Sequence, residues 1–365
     1  MSLIGLPKHE IDTPALLVDL SALERNIERM ARIIVREAGV RWRPHTKGIK
    51  TPAIAHMLLR AGASGVTCAK LGEAEVMAAA GVRDILIANQ IVGAQKIARL
   101  VNLRQRADVV VAVDGVENIE ALDRAAREKG VRLRVVIEVN VGMNRAGVEP
   151  GAPTLALAKR VAALPGLQFA GVMTWESSAL RIKEEEEKRR VVLEALQRLT
   201  ATAQMCRDAG LPVEIVSCGG TGTYWMSAFQ PGITEIQAGG GVLCDLNYIR
   251  NFHVPDHEYA LTVLSIVTSR PTPTRIIFDA GRKAMSAEAG PPEPVGIANV
   301  KSVGLSAEHG KIELEAPGAS PRVGDKIELI VGYGDVTVAL YDVLYGVRDG
   351  KVEAVWPILG RGKLQ

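Results

Sequence analysis

The chain has 365 residues, 47% of them hydrophobic and 23% charged, the composition of an ordinary globular protein with two domains or one large barrel plus an appendage. Its 44 Lys and Arg against 41 Asp and Glu leave a net charge of +3, too weak a field to imply nucleic acid or an anionic membrane surface. No apolar run approaches spanning length, and the start Met1-Ser2-Leu3-Ile4-Gly5 carries no signal-peptide core. Cys68, Cys206, Cys218 and Cys244 lack Cys-x-x-Cys spacing and read as reduced thiols of a cytoplasmic protein.

In chain order, short β-branched runs alternate with amphipathic stretches. Residues 15–19 read as a strand, and Ser21 caps a helix whose Leu23, Ile27 and Met30 share one face. Val40-Arg41-Trp42 alternates as a strand does and leads into Arg43-Pro44-His45-Thr46-Lys47-Gly48-Ile49-Lys50. A helical pattern resumes at Pro52, where proline suits the first turn. Lys47 therefore ends a strand and faces a loop, the place where a barrel enzyme mounts an amine nucleophile. Strands follow over 65–69, 85–88, 109–114, 133–140, 169–174, 214–217 and 234–238, with helical patterns between them. The longest helical pattern, 182–208, carries Glu184-Glu185-Glu186-Glu187-Lys188-Arg189-Arg190, which reads as a solvated face with i,i+4 pairs. Counted from the strand before Lys47 there are eight βα-type strands, which fits a closed (β/α)8 barrel and leaves strand 15–19 over. From about residue 255 the pattern turns to strands over 259–269, 275–279, 299–305, 311–315, 326–332 and 351–356 with turn-rich links. The expected division is an α/β N-terminal barrel, 13–254, and a C-terminal all-β domain, 255–365, which residues 1–20 join.

Two glycine clusters stand late in the barrel. Ser217-Cys218-Gly219-Gly220-Thr221-Gly222-Thr223 follows a strand and precedes a short helical stretch, and Gly239-Gly240-Gly241 ends the next strand. Glycines let backbone N–H groups approach a phosphate, and a helix N-terminus adds a favourable dipole. The loops after the last two barrel strands are the usual phosphate site. A strand-end lysine opposite two such loops suits a phosphorylated aldehyde cofactor held as a Schiff base.

Further pieces run over nearly the whole chain: Asp12-Thr13-Pro14-Ala15, Gly142-Met143-Asn144-Arg145-Ala146-Gly147, Glu235-Ile236-Gln237-Ala238-Gly239, Asp245 with Tyr248, Asp279-Ala280-Gly281 with Lys283, and Glu308-His309-Gly310. In this order the chain resembles the fold-type III pyridoxal-phosphate enzymes of the alanine racemase-like superfamily. More closely, it is similar to the D-threonine aldolase, D-serine dehydratase and 3-hydroxy-D-aspartate aldolase group. The resemblance implies that Lys47 is the Schiff-base lysine of pyridoxal 5'-phosphate. It implies that Thr221, Gly222, Thr223, Gly239, Gly240 and Tyr248 contact the phosphate or cofactor and that Arg145 stands beside the ring. It also implies a lyase acting on β-hydroxy-D-amino acids, by retro-aldol cleavage to glycine and an aldehyde. The alternatives are an amino-acid racemase or a dehydratase with little metal dependence; the second domain argues against a non-catalytic pyridoxal-phosphate carrier. Related enzymes are homodimers.

Three positions depart from the group. Its divalent metal sits on His-x-Asp or His-x-Cys before Thr-Val, whereas Gly332-Tyr333-Gly334-Asp335-Val336-Thr337-Val338 keeps Asp335 and puts Tyr333 where the histidine belongs. A neutral phenol is a poorer ligand than imidazole for a borderline metal, so Mg, Mn or Zn on Asp335 and Tyr333 is expected to be weak or lost. Ile49 replaces a histidine two residues after the lysine, and Trp175-Glu176-Ser177-Ser178 replaces an aromatic-x-Gly-His motif. The catalytic candidates are then Lys47, His45 and Tyr333, the last as a phenol lowered by a nearby cation. Plainer readings stand beside these: His45 hydrogen-bonds near the lysine, Arg145 pairs with Glu138 or Asp114, and His309 fixes a turn. His253 and His257, with Pro255 between them, make no metal pair.

Overall fold

The computed structural model describes residues 3–365; Met1 and Ser2 of the expected N-terminal segment lie outside it. After β1 (Ala15–Asp19) and α1 (Leu20–Ala31), strands and helices alternate: β2 (Arg41–Trp42), α2 (Pro52–Arg60), β3 (Val66–Cys68), α3 (Leu71–Ala79), β4 (Asp84–Gln90) and α4 (Ala94–Arg104). The series continues with β5 (Asp108–Val113), α5 (Val116–Lys129), β6 (Leu133–Glu138), α6 (Ala152–Ala162), β7 (Leu167–Met173), α7 (Glu185–Asp208), β8 (Ile215–Cys218), α8 (Tyr224–Ser227) and β9 (Glu235–Ile236). Val109 to Val113 are buried on both faces, as a parallel strand covered by helices requires.

Strands β2 to β9 form one parallel sheet in the order β2-β9-β8-β7-β6-β5-β4-β3. Its two ends meet through a single parallel bridge between His45 and Thr67. There Thr46 N–H donates to Thr67 O at 2.7 Å and Thr67 N–H to Pro44 O at 2.9 Å. The sheet is the expected (β/α)8 barrel, although β2 and β9 are regular over only two residues each. Leu86, Val110, Ala112, Val136, Ala170, Met173 and Ile215 pack as one apolar cluster. Arg43, 1% exposed, donates to Glu235 Oε2 at 2.8 Å and pairs with Asp84. Burial opposes its charge, but the two carboxylates outweigh it and hold the guanidinium above its usual range. Removing Glu235 would leave this buried cation with Asp84 as its remaining carboxylate partner.

The second sheet has nine strands: β1 with β10 (Leu261–Thr272), β11 (Arg275–Phe278), β12 (Glu293–Pro294), β13 (Val300–Leu305), β14 (Gly310–Leu314), β15 (Lys326–Ile330), β16 (Val343–Arg348) and β17 (Lys351–Pro357). β1 lies antiparallel to β10 and parallel to β16; the other pairings are antiparallel. Its core includes Ile11, Ala15, Leu17, Leu264, Val347 and Val352. A short helix, α9 (Gly334–Val338), follows β15. Neither β12 nor β16 is among the expected strands. Gly346 interrupts the run of β16, and its missing Cβ is used: a methyl there would sit 3.0 Å from both Leu20 Cδ2 and Ala354 Cβ.

By contacts, the barrel unit comprises Glu28–Lys47, Pro52–Gly239 and Gly362–Gln365, and the β unit comprises residues through Ile27, Gly48–Thr51 and Gly240–Arg361. The expected boundary at 254/255 lies shortly before β10, the first strand after the barrel, which begins at Leu261. The division falls earlier because the segment after Gly239 is bonded into the β unit, Leu246 N–H to Val331 O and Asn247 N–H to Gly332 O, each at 3.2 Å. On α7 the charge run is laced as expected, Arg189 to Glu185 and Arg190 to both Glu187 and Glu194. Lys188 corrects that reading: it is buried, donates to Leu180 O at 3.3 Å and lies 5.2 Å from the Trp225 ring centroid. Among the described residues no helix is long and apolar enough to cross a membrane.

Candidate functional site

Trp42 is fully buried and its indole N–H donates to Ala238 O at 2.7 Å, while His45 N–H donates to Gln237 O at 2.8 Å. The chain therefore runs on beside residues 237–239 after β2 ends, and Lys47 stands in the turn beyond. A Cβ on Gly239 would collide with the backbone of His45, so that glycine serves the approach of two chains, a reason separate from phosphate binding. Lys47 N–H donates to His45 Nδ1 at 3.3 Å, which holds the imidazole against the base of the lysine.

Trp175 is where the parts meet. Lys47 Nζ lies 5.5 Å from its ring centroid, and the Arg145 guanidinium also lies 5.5 Å from it, both within reach of a cation–π contact. The indole Nε1 would stand 2.7 Å from a Cβ on Gly220. One aromatic ring thus borders the amine, a guanidinium and the glycine-rich loop. Arg145 also donates to Glu138 Oε1 at 3.3 Å, so the ion-pair reading of this residue holds together with its contact on the Trp175 indole. Asp114 instead accepts the Gly147 N–H at 3.1 Å.

The glycine-rich loop is built around a carboxylate. Gly219 has φ +82°, left-handed backbone that favours glycine, and its N–H donates to Glu176 Oε2 at 3.2 Å. Thr223 and Ser227 each donate their hydroxyls to Glu176 Oε1 at 2.6 Å, and Gly220 N–H donates to Thr223 Oγ1 at 3.2 Å. Thr221 and Thr223 are buried here, and among the described residues nothing accepts the Gly222 N–H. α8 has only four residues, so the dipole expected from a following helix is that of a single turn. An amine, a ring face and a loop of backbone N–H groups fit a phosphorylated cofactor attached through Lys47. Sequence reasoning treated Trp175 and Glu176 only as departures from a motif; the signal was an acidic residue directly after a barrel strand, with hydroxyls at Thr223 and Ser227 to receive it.

The β unit holds the remaining candidates. Tyr248 donates to Asp335 Oδ1 at 3.3 Å and Tyr333 to Asp335 Oδ2 at 3.4 Å, so one carboxylate collects two phenols. Asp245 accepts Gly334 N–H at 2.6 Å and Tyr248 N–H at 2.9 Å. A Cβ on Gly240 would fall on the Tyr248 hydroxyl, and one on Gly48 would fall on the Asp335 carboxylate. Burial raises Asp245 to about 7 and Asp335 adds to the shift, while its backbone hydrogen bonds oppose it. Burial, then Asp335 and Asp245, push both phenols above the usual tyrosine range. The expectation of a cation-lowered Tyr333 is thereby corrected: its surroundings are anionic, and it is a hydrogen-bond donor.

One carboxylate already accepting two protonated phenols is a poor donor set for a borderline divalent metal, which takes imidazole or thiolate. Among the described residues no group of three His, Cys, Asp or Glu could hold an ion. The residues at Asp335 and Tyr333 therefore do not fit the metal the group carries, and no chemistry is routed through one. His257 lies buried with Nδ1 2.9 Å from Gly241 O, and His309 O accepts Ser306 N–H at 2.9 Å to close a turn.

Comparison with known proteins bears on the whole chain. Residues 18–245 match the family of the alanine racemase N-terminal domain, and residues 260–347 match a serine dehydratase domain. A D-threonine aldolase of Arthrobacter sp is 37% identical over 360 residues, covering 98% of this chain and 95% of that protein. A 3-hydroxy-D-aspartate aldolase of Paracoccus denitrificans is 35% identical over 371 residues, 99% of this chain and 95% of that one. The crystal structure of D-threonine aldolase from Filomicrobium marinum superimposes with a TM-score of 0.95 at 37% identity, covering 100% of both chains.

Proposed function

The chain belongs to the alanine racemase N-terminal-domain family, and from that premise we propose that it is a pyridoxal-phosphate-dependent lyase cleaving β-hydroxy-D-amino acids to glycine and an aldehyde. The observation that carries the reading is the convergence of Lys47, Arg145 and the loop at Gly220 on the Trp175 indole. Bound pyridoxal phosphate supplies the electron sink for the bond broken at Cα. The rest falls to the protein. Lys47 carries the primary amine through which the cofactor is held, and Trp175 fixes where that amine and Arg145 stand. The loop from Gly219 to Thr223 offers the phosphate the N–H of Gly222, which nothing among the described residues accepts.

Retro-aldol cleavage needs a base for the β-hydroxyl proton as Cα–Cβ breaks, and a proton returned to Cα to release glycine. We assign the second step to Lys47, whose amine can hold and return a proton. We assign the first to His45, an imidazole held at Lys47's own backbone N–H and the side chain whose ordinary titration falls nearest neutrality. Racemisation needs a base on each face, and the raised phenol of Tyr333 speaks against its serving as one. Tyr333 instead supplies a donated hydrogen bond. Four buried free thiols suit the cytoplasm, and we place the enzyme there, as a homodimer.

The test is incubation with matched D- and L-β-hydroxy amino acids, with and without chelator, assaying aldehyde, glycine, ammonia and 2-oxo acid. Aldehyde with equimolar glycine from the D-series alone is the expected result. Ammonia with 2-oxo acid would make it a dehydratase, and interconversion of enantiomers a racemase.

A further inference from the structure

Glu176 is 1% exposed and stands just after β7. Its carboxylate touches neither Lys47 nor Arg145 in any hydrogen bond; its partners are Gly219 N–H, the Thr223 hydroxyl and the Ser227 hydroxyl. A buried anion next to a loop meant to receive another anion is electrostatically adverse unless it does something specific there. The geometry shows what. Because Thr223 donates to Glu176 at 2.6 Å, its oxygen lone pair is turned to accept Gly220 N–H at 3.2 Å. Gly219 and Gly220 thereby have their N–H groups drawn back onto the carboxylate and its relay. The two peptide planes are fixed, and the N–H of Gly222, which has no acceptor among the described residues, is left to face a ligand.

We propose that Glu176 is the positioning residue of the phosphate loop: it sets the backbone of Gly219–Thr223 to receive the cofactor's phosphate without touching the cofactor. This rests on the pyridoxal-phosphate reading above. A carboxylate is required because it can only accept, and it meets three donors. An amide in its place has one acceptor oxygen and one NH2. The two hydroxyls can rotate to suit an amide, but the Gly219 N–H cannot, so an amide oriented toward the hydroxyls opposes a donor to a donor there. Oriented the other way, it loses the bond that aims Thr223. Either arrangement frees the loop.

The phosphate-specific prediction separates positioning from general support of the fold. Pyridoxal 5'-phosphate and pyridoxal share the aldehyde that condenses with Lys47 and differ only in the phosphate. In Glu176→Gln, the apparent Kd for pyridoxal 5'-phosphate, read by absorbance titration of the apo-protein, should rise about 10- to 100-fold, the scale of one buried donor left unmade. The apparent Kd for pyridoxal should stay within about twofold. Inorganic phosphate should compete with pyridoxal 5'-phosphate for the wild-type protein and lose that competition in the variant. Thr223→Val should copy this pattern and Thr223→Ser should not, which keeps the test decisive should Glu176→Gln fail to fold. Equal weakening of both ligands, or no weakening of either, overturns the positioning role. If wild-type protein takes up neither ligand on Lys47, the pyridoxal-phosphate reading itself falls, and this inference with it.

Discussion

Two carboxylate-centred networks, one in each unit, look alike on paper and differ in what they can do. In the barrel unit Glu176 stands alone among neutral donors, two hydroxyls and an amide. In the β unit Asp335 and Asp245 share a neighbourhood with two phenols, and the electrostatic effect of each reaches the other's partners. A single buried carboxylate with only donors around it is a fixed anchor. In the second network burial, with Asp335 adding to it, raises Asp245 and favours its protonated form. Both networks centre on buried carboxylates; their partners, neutral donors alone in one and phenols with a second carboxylate in the other, set them apart.

The comparison turns first on Lys47, which both readings of the barrel unit assume. In Lys47→Ala, borohydride should fix no cofactor on the protein, and activity should fall about a thousandfold or more; peptide mapping of the reduced protein checks this. Retained labelling would move the amine, and the barrel-side network would lose its purpose. The β-side network is broken next by Tyr333→Phe, which keeps the ring and removes the donated bond to Asp335. Activity should drop about tenfold or more, the scale of a hydrogen bond to a charged group, in chelator-treated enzyme that otherwise keeps most of its rate. Unchanged turnover in the variant, or collapse of the wild type on chelation, would return the chemistry to a metal.

A smaller effect should follow from Trp175→Leu. Losing the face shared by Lys47 and Arg145 removes about 0.5–1 kcal/mol for each partly exposed cation–π contact, so cofactor affinity should weaken severalfold with little change in melting temperature. Asp245 gives the comparison a pH signature. Its folded pKa of about 7 lies above the ordinary 3.8, so the native state binds the proton more tightly. Its contribution to stability is fully present below about pH 4 and is lost as pH rises towards 7. Urea midpoints for the wild type should therefore fall between pH 5 and pH 8 by more than those of Asp245→Asn. Parallel profiles would place the stored proton elsewhere. The smallest effect belongs to the outer face of α7: Arg190→Ala breaks two ion pairs in solvent and should leave unfolding curves superimposed. Lys188→Met, on the buried side of the same turn, should shift them.

Most barrel strands are legible because β-branched runs such as Val109 to Val113 are buried on both faces and carry no competing pattern. The barrel's first and last strands are legible as runs but not as lengths. The chain there leaves regular pairing so that His45 and Gly239 can pass at close range, and nothing in the local composition announces that. β16 escapes notice because Gly346 breaks its run for the sake of Leu20, a contact distant in sequence. In the site, Lys47 and the glycine loop are readable because their chemistry is carried by residue type. Glu176 is not, because its meaning lies in three partners, all of them more than forty positions away. Lys188 sits in a run of charges whose other members are solvated, and only the position of Trp225 reveals that it faces inward.

The barrel's closure has a consequence for motion. Seven of the eight joins between adjacent strands are ladders, whereas the eighth is one bridge at His45 and Thr67, immediately before the lysine. A cylinder sewn this lightly along one line has a preferred place to breathe. Amide protons of Thr46 and Thr67, whose bonds span that line, should exchange with deuterated solvent sooner than those of Val110 or Val136. Cofactor attached at Lys47 should slow them first, so that ligand occupancy is recorded as the stiffness of a seam.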